Sequence, residues 1–447
     1  MLNPVASTYR VSVIGAGKMG LPIACLFAEN GAKVIAVDIN AELVEQINRA
    51  EAPFQEPELE EKLRAGITNN RLTATTDAPK AISDSNVIIV IVPVLLTKFK
   101  KADLTVISSV AKQIGGSLQS GSLVVFETTL PVGESRKLHQ QIAKLSGLIP
   151  GKDYYAAFSP ERVKSLHVFR NLRIVPKIVG GFTPECSQRA ETFYSATLGS
   201  PTINLQTLEA AEYAKLADMI YRDVNIALAN ELSSYAEKVG VDFEAIRVAA
   251  NTSGESHLLI PGIGVGGHCT PIYPWFVIKD APMKLAPTLL PLEARVINDE
   301  RAIYAFNRIK EVLDSKLSNY RVLILGLGFR PEVAEATASP AYLVRDVFEK
   351  AQNEVLLHDP YFTPEQIRRE GFNPFEWDAQ NSDSIHIVIL VTAHQPYLKL
   401  DWESFVKRHK VALVYDGRNS LNGEQIEQAG AIYLGVGKPY RVKDKLI

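Results

Sequence analysis

Short apolar runs alternate with segments of helical spacing along the first two hundred residues of the chain. Residues 10–15 (RVSVIG) are rich in β-branched side chains, and the apolar positions of residues 21–30 recur as they do in a helix. Further apolar, β-branched runs predict strands at 33–37, 87–92, 123–126 and 177–179. Because strands that alternate with helices usually form parallel sheets covered on both faces, we expect such a sheet here.

The pattern changes near residue 205. Helix formers with few breakers continue to Gly240 and predict one long helix, and a second helical stretch is predicted over 292–317. Between them, residues 261–274 (PGIGVGGHCTPIYP) are so rich in glycine and proline that they predict a loop.

Beyond residue 319 the strand, glycine and helix pattern returns. The segment YRVLILGLGF is followed by a helix from about Ala341, the strand EVLLH, and apolar runs at 385–391 and 411–414. The predicted fold class is therefore α/β, with two Rossmann-like domains joined by a helical central domain. We place the boundaries at 1–203, 204–318 and 319–447.

Composition narrows the class of protein. A chain of 447 residues is too long for one hydrophobic core, and 46% hydrophobic with 22% charged residues is ordinary for globular proteins. A net charge of −2 offers no broad basic field, so we expect no nucleic-acid partner. No apolar stretch approaches the roughly 20 residues of a membrane span, and the N-terminus lacks the features of a signal peptide.

The cysteines support the same picture. Cys25, Cys186 and Cys269 are odd in number and far apart, so they predict neither a disulfide framework nor a metal site. We expect a soluble protein of the reducing cytoplasm.

The first glycine cluster points to a dinucleotide. Gly15, Gly17 and Gly20 form G-x-G-x-x-G directly after a strand and at the start of a helix, where a pyrophosphate can approach the backbone. Asp38 ends the second strand, where a carboxylate can bind the ribose hydroxyls and repel the 2′-phosphate of NADP. This predicts NAD, and the alternative is a tight turn beside a solvated aspartate.

A second cluster, Gly326-Leu-Gly328, lacks the third glycine of the fingerprint, although Asp359 ends the following strand. The segment is either a structural Rossmann turn or part of a domain that binds the nucleotide of the substrate. We favour the second interpretation.

A lone cysteine lies in the glycine-rich loop, in Gly266-Gly267-His268-Cys269-Thr270-Pro271. Flanking glycines favour a backbone that approaches a ligand closely and leaves the thiol accessible. The alternative is a small buried hydrophobic side chain in a tight loop.

The blocks GAGKMGLP, ETTLPVG, FSPERV, PKIVGG, EAAEYAKL, RDVNIALANE, PGIGVGGHC and YDGRN, with Ser339-Pro340, occur in one order along the chain. In this order the sequence resembles the UDP-glucose and UDP-N-acetylhexosamine 6-dehydrogenase family. SPERV, PKIVGG and RDVNIALANE are more similar to the N-acetylhexosamine branch.

The resemblance implies an NAD-dependent oxidation of a UDP-sugar C6 alcohol to the uronic acid, through a cysteine thiohemiacetal and thioester, for polysaccharide biosynthesis by a homodimer or larger homo-oligomer. The implied catalytic residues are Cys269 as nucleophile, Lys215 at the oxyanion, Glu161 in thioester hydrolysis and Thr129 at the water. The predicted cofactor-binding residues are Gly15, Gly17, Lys18, Met19, Gly20, Asp38 and Arg330, and the predicted substrate-binding residues are Gly266, Gly267 and Arg418.

Each of these side chains also has a structural interpretation. Lys215 is compatible with a solvated helix lysine, Glu161 with a helix-capping carboxylate, and His268 with a packing residue of the loop. Arg418 suits a phosphate contact or a strand-end salt bridge equally well.

Some positions depart from the family. Met219 replaces an asparagine that shares the oxyanion, Tyr273 replaces an aspartate, and Thr337 replaces an arginine, while Arg330 keeps the charge of a family lysine. A second hypothesis is therefore a nucleotide-sugar-binding pseudoenzyme or regulatory subunit. A β-hydroxyacid dehydrogenase would explain the first glycine motif but neither the second Rossmann-like domain nor the cysteine loop.

Overall fold

The computed structural model describes residues 5–313, 317–377, 384–442 and 445–446. The chain forms two compact units, Met1–Asp218 and Met219–Ile447, which are described separately below. The two boundaries of the three expected domains stay a prediction, because this division falls inside the long helix α9 (Leu208–Val239) and not at either boundary.

The first unit contains an eight-stranded sheet in the order β3-β2-β1-β4-β5-β6-β7-β8. The strands are β1 (Arg10–Ile14), β2 (Lys33–Val37), β3 (Leu72–Thr75), β4 (Val87–Val90), β5 (Leu123–Phe126), β6 (Tyr155–Phe158), β7 (Lys177–Gly181) and β8 (Thr202–Thr207). Strands β1 to β6 are mutually parallel, as predicted. Their apolar side chains are buried, as expected where helices cover a parallel sheet.

The prediction of a wholly parallel sheet is wrong at one pair. Strand β7 runs antiparallel to β6, with Ala157 opposite Gly181 and Phe158 opposite Gly180. The connection between them returns to β7 at the edge of the sheet where β6 ends, so no crossover is made. The first residues of β7 therefore lie beside the loop that follows β6.

The helices of this unit are α1 (Gly20–Glu29), α2 (Ala41–Asn48), α3 (Leu59–Thr68), α4 (Ala78–Ser83), α5 (Thr105–Ser117), α6 (Glu134–Ser146), α7 (Val168–Ile174), α8 (Pro184–Thr197) and the first part of α9. Asn40, Asp77 and Thr183 accept amide hydrogen bonds as the N-caps of α2, α4 and α8. Helix α1 is buried along almost its whole length, which holds the glycine turn before it against the core.

The second unit begins with the rest of α9, followed by α10 (Phe243–Ala250), α11 (Pro274–Asp280), α12 (Leu289–Asp299) and α13 (Arg301–Val312). The long helix and the glycine-rich loop are confirmed. The single helical stretch predicted over 292–317 is instead two helices that meet at Glu300, whose ψ of −3° departs from the value of about −42° in a regular α-helix. The predicted stretch also includes 314–316, which lie outside the described residues.

The second sheet has the order β11-β10-β9-β12-β13-β14, and all its neighbouring strands are parallel. The strands are β9 (Arg321–Leu325), β10 (Glu354–His358), β11 (Asn373–Pro374), β12 (Ile387–Leu390), β13 (Leu413–Asp416) and β14 (Ile432–Gly435). The helices are α14 (Pro340–Lys350), α15 (Pro364–Arg369), α16 (Gln395–Leu398), α17 (Trp402–His409) and α18 (Gly423–Gln428), and a short pair β15 (Arg441–Val442) and β16 (Lys445–Leu446) ends the chain.

Alternate residues of this sheet belong to two separate cores. Val322 and Ile324 pack into one core, whereas Leu323 and Leu325 pack into the other. Successive side chains of a strand point to opposite faces, so both faces are covered. The fold class is thus confirmed. None of the described helices combines the length and apolarity that a membrane span needs.

A buried carboxylate joins the end of α9 to the second Rossmann-like sheet. Glu237 is fully buried, its Oε1 accepts the amide of Gly437 at 2.6 Å, and Arg308 Nη1 lies 3.1 Å from the same oxygen. The hydroxyl of Tyr304 donates to the other oxygen. A buried charge of this kind is costly once its partners are lost.

We predict that Glu237→Gln lowers the free energy of unfolding by about 3 kcal/mol, because Arg308 would be left buried without its counter-charge. Glu231→Gln, at an exposed position of the same helix, is the matched control and should change stability by less than about 0.5 kcal/mol. Urea unfolding followed by circular dichroism measures both. Equal stability of the two variants would contradict this role for Glu237.

Candidate active site

The glycine turn after β1 has the geometry of a dinucleotide site. Gly15 has a φ of +100°, which favours glycine, and a Cβ at Gly20 would collide with the carbonyl oxygen of Gly15. At Gly17, by contrast, a Cβ would meet no protein atom within 4 Å. The backbone is therefore open to a ligand at Gly17, while Gly15 and Gly20 are required by the turn itself.

Asp38 lies beside this turn and keeps part of its side chain exposed. Its Oδ2 accepts the amide of Ala16 at 2.9 Å, and its Oδ1 accepts the amide of Asn40 at 3.0 Å. The next residue, Ile39, is 98% exposed and uncharged, so no cation follows Asp38 directly to receive a 2′-phosphate. The open backbone and the carboxylate fit NAD. Lys18 and Met19 lie in the turn, between its second and third glycines.

The second glycine turn is built differently. Asp359 is fully buried, and its Oδ2 accepts the amides of Leu327 and Gly328 at 2.7 and 2.9 Å. The same oxygen lies 3.1 Å from Nε2 of His394. Because the Asp359 carboxylate is buried and accepts amides of its own chain, it is not exposed to bind the hydroxyls of a ribose. The turn is structural with respect to a dinucleotide, and substrate binding by this unit stays a prediction.

The cysteine loop is anchored at its beginning by a buried polar network. Asn230 of α9 accepts the amide of Gly262 at 2.9 Å, and Arg301 of α13 donates to the carbonyl of Gly262 at 3.1 Å. Asn298 donates to Asp223 and accepts from Asn230, so α9 and α12 are joined through the same network. The loop therefore starts from a fixed point.

Further along, the loop lies directly on the segment that follows β9. A Cβ at Gly266 would stand 2.6 Å from the Cβ of Phe329, and one at Gly267 would stand 2.9 Å from its ring. The amide of Gly267 donates to the carbonyl of Thr337 at 2.8 Å. These glycines are thus required by packing against the protein. Their predicted contact with substrate remains a prediction.

One neighbouring side chain supports the structural interpretation of His268. Its Nε2 lies 3.0 Å from the hydroxyl of Thr337, the residue that replaces a family arginine. Cys269 is half-buried and forms no disulfide with a described residue, and its carbonyl accepts the amide of Tyr273 at 2.9 Å. Thr337 and Tyr273 therefore hold the loop on both sides of the cysteine.

Arg418 follows β13 at the carboxyl edge of the second sheet. Its Nε donates to the carbonyl of Val391 at 2.7 Å, and its backbone amide donates to Asp416 at 2.9 Å. The guanidinium lies against Gly262, where a Cβ would stand 2.5 Å from Nη1. Among the described residues no carboxylate forms a salt bridge with Arg418, so its charge is available to a phosphate. Arg330 lies in the loop after β9, in a different compact unit from the glycine turn, and its assignment to the cofactor stays a prediction.

Lys215 is a buried cation on α9. Its side chain is only 4% exposed, yet no carboxylate among the described residues forms an ion pair with it. One turn earlier, Glu212 accepts the amides of Gly133 and Ser135 at 2.6 and 2.8 Å, at the start of α6. Burial raises the pKa of Glu212 to about 7. The loop that carries Thr129, which is itself buried, is thereby tied to the helix that carries Lys215.

Glu161 lies in the loop after β6, close to a second lysine. Its Oε1 accepts the amide of Val163 at 2.5 Å, and its Oε2 lies 3.8 Å from Nζ of Lys177. Lys177 also bonds Glu127, which is fully buried, at 2.6 Å. Burial raises the pKa of Glu127.

Sequence reasoning missed Lys177 and Glu127, although both lie in quoted blocks, PKIVGG and ETTLPVG. The available signal was a charged residue directly at the end of an apolar strand run, since Glu127 follows β5 and Lys177 begins β7. Such a residue is rarely buried without a partner. Within the described residues, no group of three His, Cys, Asp or Glu side chains is arranged to hold a metal ion.

Three sequence profiles of one family match the chain in order. The profiles are described as the NAD binding domain, the central domain and the UDP binding domain of the UDP-glucose/GDP-mannose dehydrogenase family, and they match residues 9–198, 209–300 and 323–423.

Individual relatives agree with these matches. A UDP-N-acetyl-D-mannosamine dehydrogenase of Pyrococcus horikoshii is 31% identical, over 96% of this chain and 99% of that protein. An NDP-N-acetyl-D-galactosaminuronic acid dehydrogenase of Ralstonia solanacearum is 34% identical, over 93% and 97%. A solved structure of the P. horikoshii UDP-D-ManNAc dehydrogenase matches with a TM-score of 0.87 and 29% identity, over 96% and 99% of the two chains.

We predict that Asp38→Asn lowers the preference for NAD over NADP by at least about tenfold. The variant keeps an oxygen for the Ala16 amide but loses the charge that repels a 2′-phosphate. Fluorescence titrations with NADH and NADPH give the ratio of dissociation constants. Asp84→Asn, at an exposed position after α4, is the control. An unchanged ratio in Asp38→Asn would refute the assignment of Asp38.

Proposed function

The chain belongs to the UDP-glucose/GDP-mannose dehydrogenase family, and from this premise we propose that it oxidises the C6 alcohol of a UDP-sugar to the carboxylate. It is an NAD-dependent oxidoreductase of the nucleotide-sugar dehydrogenase class. The relatives named above favour a UDP-N-acetylhexosamine ahead of UDP-glucose as substrate. The observation that carries the proposal is Lys215, a buried ammonium that no described carboxylate neutralises.

A buried cation without a counter-charge is stabilised when an anion forms beside it. In the proposed reaction Lys215 stabilises the oxygen at C6 as it gains negative charge. The Cys269 thiolate adds to the aldehyde to give a thiohemiacetal, whose oxidation gives a thioester. When bound, NAD accepts one hydride in each of the two oxidations. Water then cleaves the thioester to the carboxylate and regenerates the thiol, with Thr129 positioning the water and Glu161 accepting its proton.

The overall change requires one water and two NAD for each alcohol, and it releases two NADH and three protons with the carboxylate. We assign Arg418 to the phosphates of the substrate because its guanidinium lies at the carboxyl edge of the second sheet, where parallel sheets bind ligands. Gly266 and Gly267 belong to the substrate side of the cysteine loop. The three-domain division and the assignment of Lys18, Met19 and Arg330 to the cofactor site are part of the same proposal.

Two substitutions bear on the rate of this reaction. Met219 is buried and apolar, and Tyr273 is the first residue before α11, where its amide holds the carbonyl of Cys269. A tyrosine phenol is protonated at neutral pH, so it accepts a proton from water far less readily than the family's aspartate carboxylate. We therefore expect hydrolysis of the thioester to be slow. A regulatory pseudoenzyme would instead form no thioester at all.

We also propose a homodimer. One face of α9 exposes an apolar stripe made of Tyr221, Leu228, Leu232, Tyr235 and Val239. Their spacing of seven, four, three and four residues places them on one side of the helix, over roughly 27 Å. A second copy would cover the same stripe by twofold symmetry. We place the reaction in the cytoplasm, where the Cys269 thiol stays reduced, and its product in polysaccharide biosynthesis.

We predict that Cys269→Ser lowers turnover by about 10³-fold or more, because the alkoxide forms less readily and an ester hydrolyses more slowly than a thioester. Wild-type protein is given NAD with UDP-N-acetyl-D-mannosamine, UDP-N-acetyl-D-galactosamine or UDP-glucose. We expect two NADH per sugar, a burst before slow turnover, and a sugar adduct on Cys269 in the intact mass.

Cys186→Ser is the matched control, since the Cys186 sulfur already accepts a hydrogen bond at a buried site. It should keep the burst. Wild-type protein that binds NADH but gives neither burst nor adduct with any of the three sugars would favour the pseudoenzyme. A Cys269→Ser variant as active as the wild type would refute the cysteine mechanism.

We predict that the double variant Leu232→Glu with Tyr235→Glu is monomeric, because carboxylates cannot be buried in the apolar stripe without a large desolvation cost. Light scattering after gel filtration gives the mass. Val106→Glu, at an exposed apolar position of α5, should leave the dimer intact. A wild-type monomer at micromolar concentration would contradict the proposed interface.

A further inference from the structure

Lys177 lies between two carboxylates in the first unit. Its Nζ is 2.6 Å from Oε2 of Glu127 and 3.8 Å from Oε2 of Glu161. Exposure rises along this row, since the side chains of Glu127, Lys177 and Glu161 are 0%, 7% and 14% exposed. The row therefore leads from the core to the loop that carries a proposed catalytic carboxylate.

The antiparallel pairing of β6 and β7 produces this arrangement. Ala157 is opposite Gly181 and Phe158 is opposite Gly180. When the same register is continued past the end of β6, Glu161 is opposite Lys177. A parallel β7 would have placed its first residue at the other edge of the sheet, away from Glu161.

The two contacts of the ammonium differ in kind. The contact with Glu127 is a hydrogen bond, and Tyr194 donates to the other oxygen of Glu127 at 2.6 Å. The contact with Glu161 is too long for a hydrogen bond but short enough for a strong charge interaction. Oε1 of Glu161 accepts the Val163 amide, so the oxygen that lies nearest the ammonium is Oε2, on a side chain that is 14% exposed.

We propose that Lys177 is a positioning residue for Glu161, which keeps the Glu161 carboxylate ionised and oriented for the hydrolytic half of the reaction. This inference rests on the proposed function, in which Glu161 accepts a proton from water. Glu127 and Tyr194 hold the ammonium in place, and Lys177 itself contacts neither substrate nor cofactor in the proposal.

The surrounding groups define the expected effect of pH. Among the described residues, the ionisable side chains that the ammonium faces are Glu127, which follows β5, Tyr194 from α8 and Glu161. Arg162 lies nearby, where its Nη1 donates to the carbonyl of Pro176. Burial raises the pKa of Tyr194 well above its usual range, so the phenol stays neutral. Without the lysine, the site would hold two carboxylates that repel each other, and the pKa of each would rise.

The test compares Lys177→Met with Glu127→Gln. Loss of the ammonium should raise the pKa of Glu161, so the acid limb of the turnover profile moves up by about one to three pH units. Loss of the Glu127 charge removes a repulsion, so the acid limb moves to lower pH. Lys177→Arg should restore most of the wild-type profile, and Lys152→Met, which removes an exposed lysine, should leave the profile unchanged.

If a single variant does not fold, the double variant Lys177→Met with Glu127→Gln tests the proposal instead, because it buries no unpaired charge. Its acid limb should lie between those of the wild type and Lys177→Met. NADH binding and thermal unfolding report whether each variant is folded. A purely structural role for Lys177 would lower stability in both single variants and would move neither acid limb.

A second readout does not need turnover. Carbon-13 NMR of glutamate-labelled full-length protein, with the Glu161 signal assigned by Glu161→Gln, gives the pKa of Glu161 at rest. A rise in Lys177→Met and a fall in Glu127→Gln would support the proposal even if none of the three UDP-sugars is oxidised. In that case the proposed function would be refuted, while the positioning role of Lys177 would be supported. An unchanged Glu161 pKa in both folded variants would overturn the proposal, whatever the activity.

Discussion

In both Rossmann-like sheets, carboxylates at the ends of strands accept hydrogen bonds from loop amides. These bonds fix the positions of the loops at the carboxyl edge of each sheet. Asp38 follows β2 and accepts the amide of Ala16, and Asp359 follows β10 and accepts two amides of the Gly326 turn. Asp416 ends β13 and accepts the amides of Arg418, Ser420 and Leu421. Parallel strands bring such residues to one edge of a sheet, so each carboxylate satisfies backbone donors that a short loop leaves unpaired.

The two strand-end carboxylates differ in how far the protein itself uses them. Asp38 keeps part of its side chain exposed, whereas Asp359 is buried among amides and His394. In the sequence Asp38 and Asp359 occupy similar positions, because each follows the first strand after a glycine cluster. The third glycine of the first cluster was the usable difference, and the structure agrees with it.

Much of the fold follows from the sequence because its signals are local. Apolar strand runs, the unbroken helix before Gly240 and the breakers of 261–274 act within a few residues. The predicted runs contain strands and the long helix and the loop are present, whereas β3, β6, β8 and β14 were not predicted. Partnerships between distant residues have no such signal. Three features depend on contacts between residues far apart in the chain: the reversal of β7, the bond from the Gly262 amide to Asn230, and the packing of Phe329 on the cysteine loop. Lys215 and Cys269 were found by family resemblance, but Lys177 required the register of two strands.

The contact between Phe329 and the glycines of the cysteine loop has a consequence for the family's evolution and engineering. No side chain fits between Gly266 or Gly267 and Phe329, so the path of the loop is determined by its packing against the segment after β9. A chimera that exchanged only the C-terminal Rossmann-like domain would replace Phe329 and the segment after β9. It would keep a cysteine loop whose path fits the original segment. Chimeras between relatives must therefore exchange the cysteine loop and the Phe329–Pro340 segment together.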